Sequence, residues 1–429
     1  MKLKKYKLGD IAKIEISGVD KKTIEGETPV RLCNFVDVYY NWAITKEKAK
    51  SFMVASAKQT EIDKCSIGKG MVAITKDSET RDDIGVATYI ADDFEYVLLG
   101  YHCALITPNP AIVDGKYLNA FMHTRYIQKY FENNASGSGQ RYTLSNDTIG
   151  NIPVLIPSIE EQRTIGKVLA DIDRKIELNK LINDNLEAIA KQLYDYWFVQ
   201  FDFPNEEGKP YKSSGGAMVW NEKLKREIPQ GWTAAKIKDV AQTYSGGTPT
   251  STNSEYYDGG DIPWINSGEL NNPIITSTTN YITEEGLNNS SAKLYPQDTV
   301  LVALYGATAG KVSLLSLEAC SNQAVCGVIP QNKIMTTYIR YYLSSLYEHF
   351  ITLSSGSARD NISQDTIKNT ILPIPQGKIL KEFSDAVAPI ISKIIANQKE
   401  MENLTKQRDE LLPLLMNGQA LVNYHLSDD

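Results

Sequence analysis

Two long heptad repeats, one in each half of the chain, most strongly limit what this sequence can fold into. Reading every seventh residue gives Ile165, Ile172, Asn179, Leu186 and Leu193 in the first half, and Phe383, Ile390, Asn397, Leu404 and Leu411 in the second. Each member of the second series lies 218 residues after its counterpart, so a single Asn interrupts both apolar series at the same place. A polar Asn at a core heptad position costs stability but fixes register and partner. The sequence therefore predicts two long helices that pack against each other or against related helices.

The segments before these helices also repeat, which predicts two related globular domains. KLGDIAKIEISG (7–18) matches KIKDVAQTYSGG (236–247), and GMVAI (70–74) resembles TVLVAL (299–304). Each half then has an amphipathic aromatic helix, a Gly/Ser turn and a short loop, ASGSGQRYTLSNDTI (135–149) or LSSGSARDNISQDTI (353–367). The short apolar strands IPVLIPS and ILPIPQ follow, just before the long helices. The order along the chain is therefore globule, helix, globule, helix.

These patterns predict the domain boundaries. We expect a first globular domain over 1–157, a first long helix over 158–200, a connector over 201–231, a second globular domain over 232–375, a second long helix over 376–418 and a C-terminal tail over 419–429. The connector is rich in Pro, Gly and Ser, which is typical of an extended segment. We expect the aromatic residues in and beside it to hold it against the surface: Trp197, Phe198, Phe201, Phe203, Trp220 and Trp232.

Length and composition exclude several classes of protein. A chain of 429 residues, 42% of them hydrophobic, is long enough for several domains with sizeable cores. No apolar run reaches the length of a membrane span, and the basic start lacks the apolar stretch of a signal peptide, so we expect a cytoplasmic protein. The five cysteines form no C-x-x-C pair and are expected to be reduced and mostly buried. The net charge of −7 leaves no general basic footprint, so any DNA-binding surface must be local or completed by a partner.

The sequence contains no recognisable catalytic motif. YGATAGKVS (305–313) departs from a phosphate loop, because Tyr305 stands where Gly is needed and Val312 where Ser or Thr is needed. Four His residues without H-E-x-x-H spacing argue against a zinc site, and no G-x-S-x-G elbow is present. The N-P-P-Y/F or D-P-P-Y/F tetrapeptide and the F-x-G-x-G loop of amino-methyltransferases are also missing. We therefore expect a non-catalytic chain whose function is recognition.

Two unlike polar loops, over 18–47 and 245–270, occupy corresponding places in the two halves. Their hydroxyl, amide, basic and aromatic side chains can reach base edges or phosphate oxygens. Arg141 and Arg359 stand at equivalent places after the Gly/Ser turns and suit a phosphate contact or a bidentate guanine contact, with a scaffold salt bridge as the alternative. The predicted DNA-binding residues are Lys21, Lys22, Arg31, Asn34, Tyr39, Arg141, Thr248, Ser251, Asn253, Tyr256, Tyr257, Lys311 and Arg359.

With these features in view, the chain resembles the specificity subunits of type I restriction-modification systems over essentially its whole length. The connector and the helix start IPSIEEQRTIGKVLADIDRKIELN carry the resemblance most specifically, together with GGTP (246–249), YGATAGKV and NQAV (322–325). The second helix lacks the E-E-Q-R-x-I start and contains Pro389, which can bend a helix or delay its start. The resemblance implies an α+β fold, with two pseudo-repeated mixed α/β target recognition domains separated by two long helices that form an antiparallel coiled coil.

The resemblance also implies a function. The chain would read a bipartite double-stranded DNA target, one half-site per recognition domain, separated by an unread spacer. Helices of about 35 residues span roughly 50 Å, which corresponds to about 10 to 15 base pairs between half-site centres. Two modification subunits would bind S-adenosylmethionine and methylate adenine N6, while restriction subunits would cleave DNA with ATP and magnesium. This chain would bind no cofactor or metal, and its helix faces around 160–163 and 194–198 would contact the modification subunits.

Two alternatives remain open at the level of sequence. The chain can instead be the specificity subunit of a methylation-only or other multisubunit modification system, because the nuclease would lie on another chain. A coiled-coil scaffold without a DNA role explains the heptads but not the repeated globules with divergent polar loops. The bases read and the spacer length do not follow from the loops, because recognition depends on three-dimensional placement and on DNA shape.

Overall fold

The computed structural model describes residues 2–137, 141–355 and 361–420. The chain divides into two compact units: unit 1 contains residues up to 178 and those from 401 onward, and unit 2 contains residues 179–400. Each unit therefore consists of one globular domain and a segment from each of the two long helices. The predicted C-terminal tail lies almost entirely outside the described residues, which end at 420.

The globular domain of unit 1 is built on a five-stranded sheet whose strands lie in the order Ala12–Ile16 (β2), Cys103–Pro108 (β10), Val72–Thr75 (β6), Ala87–Ile90 (β8) and Ala43–Ile44 (β4). Its strands are β1 (Lys4–Lys7), β2 (Ala12–Ile16), β3 (Thr28–Cys33), β4 (Ala43–Ile44), β5 (Met53–Ala57), β6 (Val72–Thr75), β7 (Asp77–Ser78), β8 (Ala87–Ile90), β9 (Val97–Leu99), β10 (Cys103–Pro108), β11 (Ser136–Gly137), β12 (Tyr142–Thr143) and β13 (Pro153–Ile156). Its helices are α1 (Leu8–Ile11), α2 (Phe35–Tyr39), α3 (Lys46–Ala49), α4 (Gln59–Cys65), α5 (Gly115–Met122), α6 (Arg125–Asn134) and α7 (Asn146–Gly150). Strands β6 and β8 are buried along their whole length, as expected of continuous apolar runs inside a covered sheet.

The first long helix, α8 (Ile159–Tyr194), ends in a turn of π-helix (Asp195–Val199), and the second globular domain follows. Its strands, with those of the connector, are β14 (Met218–Asn221), β15 (Arg226–Pro229), β16 (Thr233–Lys236), β17 (Ala241–Ser245), β18 (Ile262–Ile265), β19 (Ile274–Ile275), β20 (Tyr281–Ile282), β21 (Val300–Ala303), β22 (Val312–Leu315), β23 (Cys320–Ser321), β24 (Val325–Pro330) and β25 (Ile371–Ile374). The helices are α9 (Ile237–Val240), α10 (Glu284–Asn288), α11 (Thr336–Ser345), α12 (Tyr347–Ser355), α13 (Gln364–Asn369) and the second long helix α14 (Gly377–Met416). Short 3-10 turns cover Ser254–Tyr256, Ser267–Asn271 and Lys333–Met335.

The two globular domains share one topology, which confirms the repeat seen in the sequence. The five-stranded sheet of unit 2 has the order β17-β24-β21-β22-β19, and in both sheets only the last pair is parallel. The small sheets β5-β3-β9 and β20-β18-β23 also correspond. The hydroxyls of Ser145 and Ser363 cap α7 and α13 in the same way, each accepting a backbone N–H at 3.0 Å. Both domains are thus mixed α/β domains built on one plan.

The long helices pair antiparallel within each unit. In unit 2, Asn397 donates to Asn183 Oδ1 at 2.9 Å, and Asn179 donates to Glu400 at 3.0 Å. Residue numbers therefore increase along one helix while they decrease along the other. In unit 1, Ile165 shares a core with the end of α14. The heptad residues are buried or half-buried throughout: Ile165, Ile172, Asn179, Leu186, Leu193, Phe383, Ile390, Asn397, Leu404 and Leu411. The two repeated asparagines do not bond to each other, because each meets a different residue on the opposite helix.

Several local expectations need correction. Helix α14 begins at Gly377 and continues through Pro389, so the proline does not delay its start. The connector is not extended throughout, because β14 and β15 form an antiparallel hairpin in it. Most of the aromatic residues expected to hold the connector are buried, but Trp220 is 57% exposed.

All five cysteines are buried free thiols, as predicted. Within the described part of the chain, no helix is both long and apolar enough to cross a membrane.

Candidate nucleic-acid interface

Two of the predicted DNA-binding residues of unit 1, Tyr39 and Arg141, line one surface cleft of about 560 Å³. We call it the Arg141 cleft; it is lined by Phe35, Val36, Tyr39, Tyr40, Asp77, Ser78, Glu79, Thr80, Asp83, His102 and Arg141. Helix α2 forms one side. The pairing of β12 with β7 places Thr143 opposite Asp77 and so brings Arg141 to the cleft. The cleft is therefore assembled from segments that lie far apart in the sequence.

Arg141 is held in this cleft by a buried carboxylate. Its Nη2 lies 3.2 Å from Asp77 Oδ2 and contacts the ring of His102. Asp77 also accepts from Lys76 Nζ at 2.9 Å. Burial alone would raise the pKa of Asp77, but hydrogen bonds from Thr143, Lys76 and His102 outweigh it and lower the pKa to about 2. Asp77 is therefore ionised at neutral pH, while the Arg141 side chain stays 55% exposed.

Aromatic side chains of α2 and of the residue that follows it also line the cleft. The hydroxyl of Tyr39 donates to Asp83 Oδ1 at 2.7 Å, and this bond raises the pKa of Tyr39 to about 12. Its ring meets the edge of Tyr40 at 4.8 Å between centroids, and Tyr40 is 77% exposed. An exposed ring fixed from one side offers a flat surface for a base or a thymine methyl group.

The other predicted residues of unit 1 do not line this cleft. Lys21 and Lys22 are exposed, and Lys22 pairs with Asp20 at 3.0 Å. The guanidinium of Arg31 donates to the backbone carbonyls of Lys50 and Phe52, so it is committed to the chain. Asn34 is buried and belongs to the capping box of α2. The expectation that Asn34 contacts DNA does not fit this arrangement, because its side chain does not reach the surface.

In unit 2 the predicted residues lie mostly on the loop between β17 and β18. Thr248 is exposed and hydrogen-bonded to Gln323, and Ser251 is exposed. Asn253 caps the 3-10 turn Ser254–Tyr256, in which Tyr256 is half-buried. The Tyr257 hydroxyl donates to the carbonyl of Pro249 at 2.6 Å. The loop is thus folded against its own domain and presents hydroxyl groups at its surface.

Sequence reasoning missed the partners of this loop. Trp264 packs against Tyr257 at 6.2 Å and donates to the carbonyl of Gly247, and Gln323 binds Thr248. Gln323 lies 75 residues from Thr248, so no local signal predicts that contact, whereas Trp264 lies 17 residues from Gly247 on the same stretch of chain. Lys311 lies apart from the loop and donates to Asn271 at 2.5 Å. Arg359 lies outside the described residues.

The carboxylate and the imidazole that contact Arg141 are not repeated at the matching positions of unit 2. The pairing of Asp77 with Thr143 corresponds to the bridge between Tyr305 and Asn361 in unit 2. His102 directly precedes β10, and Ala324 directly precedes the matching strand β24. Tyr305 and Ala324 therefore stand where unit 1 has the carboxylate and the imidazole. Arg141 thus forms a salt bridge in unit 1, as the alternative from the sequence expected, but its partners there are not repeated in unit 2.

A second cleft of unit 1, of about 510 Å³, lies where α14 meets the first domain. Trp42 stacks on His123 at 4.2 Å, and the guanidinium of Arg408 lies 4.8 Å from the centre of the Trp42 ring. Burial lowers the pKa of His123 to about 4, so its imidazole is neutral at pH 7. Arg408 also approaches Asp173 at 4.0 Å, and burial raises the pKa of this carboxyl to about 6. The second long helix is thus fixed to the first domain by an aromatic and ionic contact.

The described residues offer no metal centre, because no group of three or more His, Cys, Asp or Glu side chains among them could hold an ion. What they offer is a set of surface hydroxyl, guanidinium and aromatic groups, which suits recognition.

Comparison with known proteins also indicates a recognition protein. The family model described as type I restriction modification DNA specificity domain matches residues 2–188 and 229–406, one segment for each repeat. The HindI specificity subunit of Haemophilus influenzae is 28% identical over 396 residues, covering 80% of this chain and 85% of the relative. The MjaIX specificity subunit of Methanocaldococcus jannaschii is 29% identical over 322 residues, covering 74% of this chain and 71% of the relative.

The fold has a counterpart among solved structures. The type I restriction-modification S subunit from M. genitalium aligns over 96% of both chains with a TM-score of 0.57, at 14% sequence identity. At this identity the likeness concerns the fold alone. Because the family model spans both repeats and most of the chain, this protein belongs to the type I restriction-modification DNA specificity family.

Proposed function

We propose that this chain is the non-catalytic DNA-recognition subunit of a cytoplasmic type I restriction-modification complex, and that it reads a bipartite target with one half-site per domain. One observation carries the proposal: the two domains share a strand order but differ at matched positions of the candidate interface, as Asp77 and Tyr305 do. Sequence is read by side chains at base edges, so a common scaffold with unlike side chains fits two unlike half-sites.

In this proposal the chemistry belongs to partner subunits. Two modification subunits bind S-adenosylmethionine and methylate adenine N6, and restriction subunits use ATP and magnesium to cleave. An exposed apolar stripe on α8 supports a docking role for the helices: Ile182, Ile189 and Tyr196 are spaced by seven residues, and Ile189 is 52% exposed. Exposed apolar patches of this kind mark protein interfaces.

Most of the residues that the sequence predicted to contact the modification subunits are not part of this stripe. Gln162 is buried and donates to the carbonyls of Ile112 and Pro157 at 3.0 Å, so it attaches α8 to the first domain. Tyr194, Trp197 and Phe198 are buried in the core of unit 2, so the prediction that they contact a partner is wrong. The exposed residues that remain at these two places are Glu160, Arg163 and Tyr196.

The stripe is not repeated on the second long helix. The positions 218 residues after Ile182 and Ile189 are Glu400 and Gln407, and only Tyr196 has an apolar counterpart, the exposed Leu414. Two identical partners would therefore meet helix faces that match in part. We propose that the two docking sites differ in affinity, because only one of them contains the apolar stripe.

A genome-wide map of N6-methyladenine in the source cell, with this gene intact and deleted, tests the proposed function. We expect deletion to remove one bipartite motif that is methylated once on each strand. Unchanged methylation would contradict the proposal for this chain. Loss of the motif with no effect on restriction of unmodified DNA would instead favour the methylation-only alternative.

A further inference from the structure

The backbone of His102 has a conformation that residues other than glycine rarely adopt. Its φ is 73°, in the left-handed region, at the end of the turn that joins β9 to β10. Such conformations are unfavourable and persist where the surrounding structure over-determines them, often at functional sites. Here the turn directs the imidazole onto Asp77, with Nδ1 at 2.6 Å from Oδ2. The strained residue thus lies at the centre of the Arg141 cleft.

Arg141 meets the same ring. Its Nη2 contacts Nδ1 of His102, lies 3.2 Å from Nε2, and lies 3.2 Å from Asp77 Oδ2, so one nitrogen of the guanidinium is held by both residues. Among the described residues, the Nη1 and Nε groups of Arg141 have no hydrogen-bond partner. The guanidinium is held by one nitrogen and offers its remaining donors to the cleft.

The charges around the cleft favour a base edge over a phosphate. Asp77 is paired with Lys76 and Arg141, while the other two carboxyl groups of the cleft, Glu79 and Asp83, have no ion pair among the described residues. An approaching phosphate would be repelled by these carboxylates, whereas an uncharged base edge would not. Guanine presents two acceptors, O6 and N7, on its major-groove edge, and the arginine fork matches both.

We propose that Arg141 reads a guanine in the half-site of the first domain, and that Asp77 and His102 are positioning residues that hold its guanidinium for this contact. The inference rests on the proposed function. The assignment is confined to the first domain, because Tyr305 and Ala324 occupy the corresponding positions in the second.

The test uses the complex assembled with its modification subunits and a series of duplexes. One duplex carries the methylated motif of the source cell, and the others change each base pair of the motif in turn. For the natural complex we expect a G·C pair in one half-site whose replacement weakens binding by roughly 5- to 150-fold. Arg141→Ala should bind that pair and its replacements equally, while discrimination at every other position is retained.

Two variants of His102 distinguish the effect of the imidazole ring from the effect of the left-handed backbone. His102→Gly accepts the left-handed conformation without strain but removes the imidazole, and it should lose part of the discrimination at the same G·C pair. His102→Asn also tolerates this conformation and keeps an amide that can donate to Asp77 and accept from Arg141, so it should retain more. Equal melting temperatures of the three complexes would show that folding is unchanged.

Each alternative outcome has a distinct signature. If Arg141→Ala weakens binding to all duplexes by the same factor and lowers its salt dependence, Arg141 contacts a phosphate and the proposal fails. If His102→Gly discriminates as well as the natural complex, the positioning role of the ring is refuted. A natural complex that binds no bipartite site would overturn the proposed function itself, before any variant is compared.

Discussion

Buried amide side chains fix which residues of the two long helices face each other. Asn397 donates to Asn183 Oδ1 at 2.9 Å, and Asn183 donates to the carbonyl of Ile394 at 3.2 Å. Both residues are buried, so neither amide can exchange its partner for water. A register shift between the helices would leave these groups unpaired, which disfavours alternative pairings.

Replacing one member of this amide pair should destabilise the chain. Asn397→Leu leaves Asn183 Oδ1 buried without a donor, and we expect the free energy of unfolding to fall by about 1 to 3 kcal/mol. The double variant Asn183→Leu with Asn397→Leu should recover most of this loss, because no amide is then stranded. Equilibrium urea unfolding of the full chain measures both effects. Asn185→Ala, on the exposed side of α8, is the matched control and should change little.

Asp173 should lower the stability of the folded chain at neutral pH. Burial raises its pKa from 3.8 to about 6, so between these values the folded state binds more protons than the unfolded state. Stability contributed by this group is therefore lost as pH rises through that window. Asp173→Asn should raise the free energy of unfolding by up to about 3 kcal/mol at pH 7.5, and the gain should shrink towards pH 4.

Unfolding curves at pH 7.5 and pH 4.5 check this expectation, with Asp171→Asn at an exposed position of the same helix as control. A variant less stable than the natural chain at pH 7.5 would show that attraction to Lys48 and Arg408 outweighs burial of the carboxylate.

How far the sequence predicts individual residues depends on the range of the contact. The heptad period places Asn179 and Asn397 at helix-core positions, because this pattern is local. The prediction of Arg141 as a DNA-binding residue followed from its repeated position, but its partners Asp77 and His102 were not predicted. The contact of Arg141 with Asp77 depends on the pairing of β7 with β12 and spans 64 residues of chain, and the contact with His102 spans 39. Nothing near His102 in the sequence signals its left-handed backbone.

At the scale of elements, the connector is held by a cluster of rings. Trp232 is buried and packs against Phe198, Phe201 and Phe203 at centroid distances of 6.0, 5.5 and 5.4 Å. Truncation of a buried aromatic leaves a cavity that the surroundings fill only in part. The composition of the segment predicted its anchoring by aromatics but not the hairpin, since a strand pair at this site depends on register rather than on composition.

Trp232→Ala should therefore cost about 3 to 5 kcal/mol of unfolding free energy. Trp220→Ala is the matched control in the same connector, because the side chain of Trp220 is mostly exposed and its hydrogen bond goes to Glu222. We expect the control to change stability by less than about 0.5 kcal/mol. Similar losses in both variants, measured by urea unfolding, would contradict the assignment of the connector to the core.

The apolar stripe of α8 predicts unequal docking of the modification subunits. Ile189→Asp places a charge in the exposed stripe and should remove one of two modification subunits from the complex, because burying an unpaired carboxylate is costly. Native mass spectrometry of the reconstituted complex gives the stoichiometry. The matched control is Gln407→Asp, at the equivalent exposed position of α14, and it should leave both subunits bound. Retention of both subunits by the Ile189 variant would exclude the stripe from docking.

At the scale of the whole molecule, the chain consists of two units with separate cores. The aromatic core around Trp232 lies in unit 2, and the core around Tyr117 lies in unit 1. The repeat in the sequence predicted this division and the shared topology, because strand and helix patterns recur in the same order. It did not predict that the units divide each long helix between them, since a continuous heptad pattern has no boundary within it.

Separate cores predict that the two half-sites can be changed independently. Arg141→Ala should alter the motif in one half, and Thr248→Ala with Ser251→Ala, which removes two exposed hydroxyls of the second domain, should alter only the other half. The combined variant should show both changes, with binding free energies that add within about 0.5 kcal/mol, because the altered residues share no partner among the residues that the structure describes. Methylation maps of cells expressing each variant, and dissociation constants of the assembled complexes, measure this. A variant of one domain that changed base preference in both halves would show that the two domains read the target as a single site.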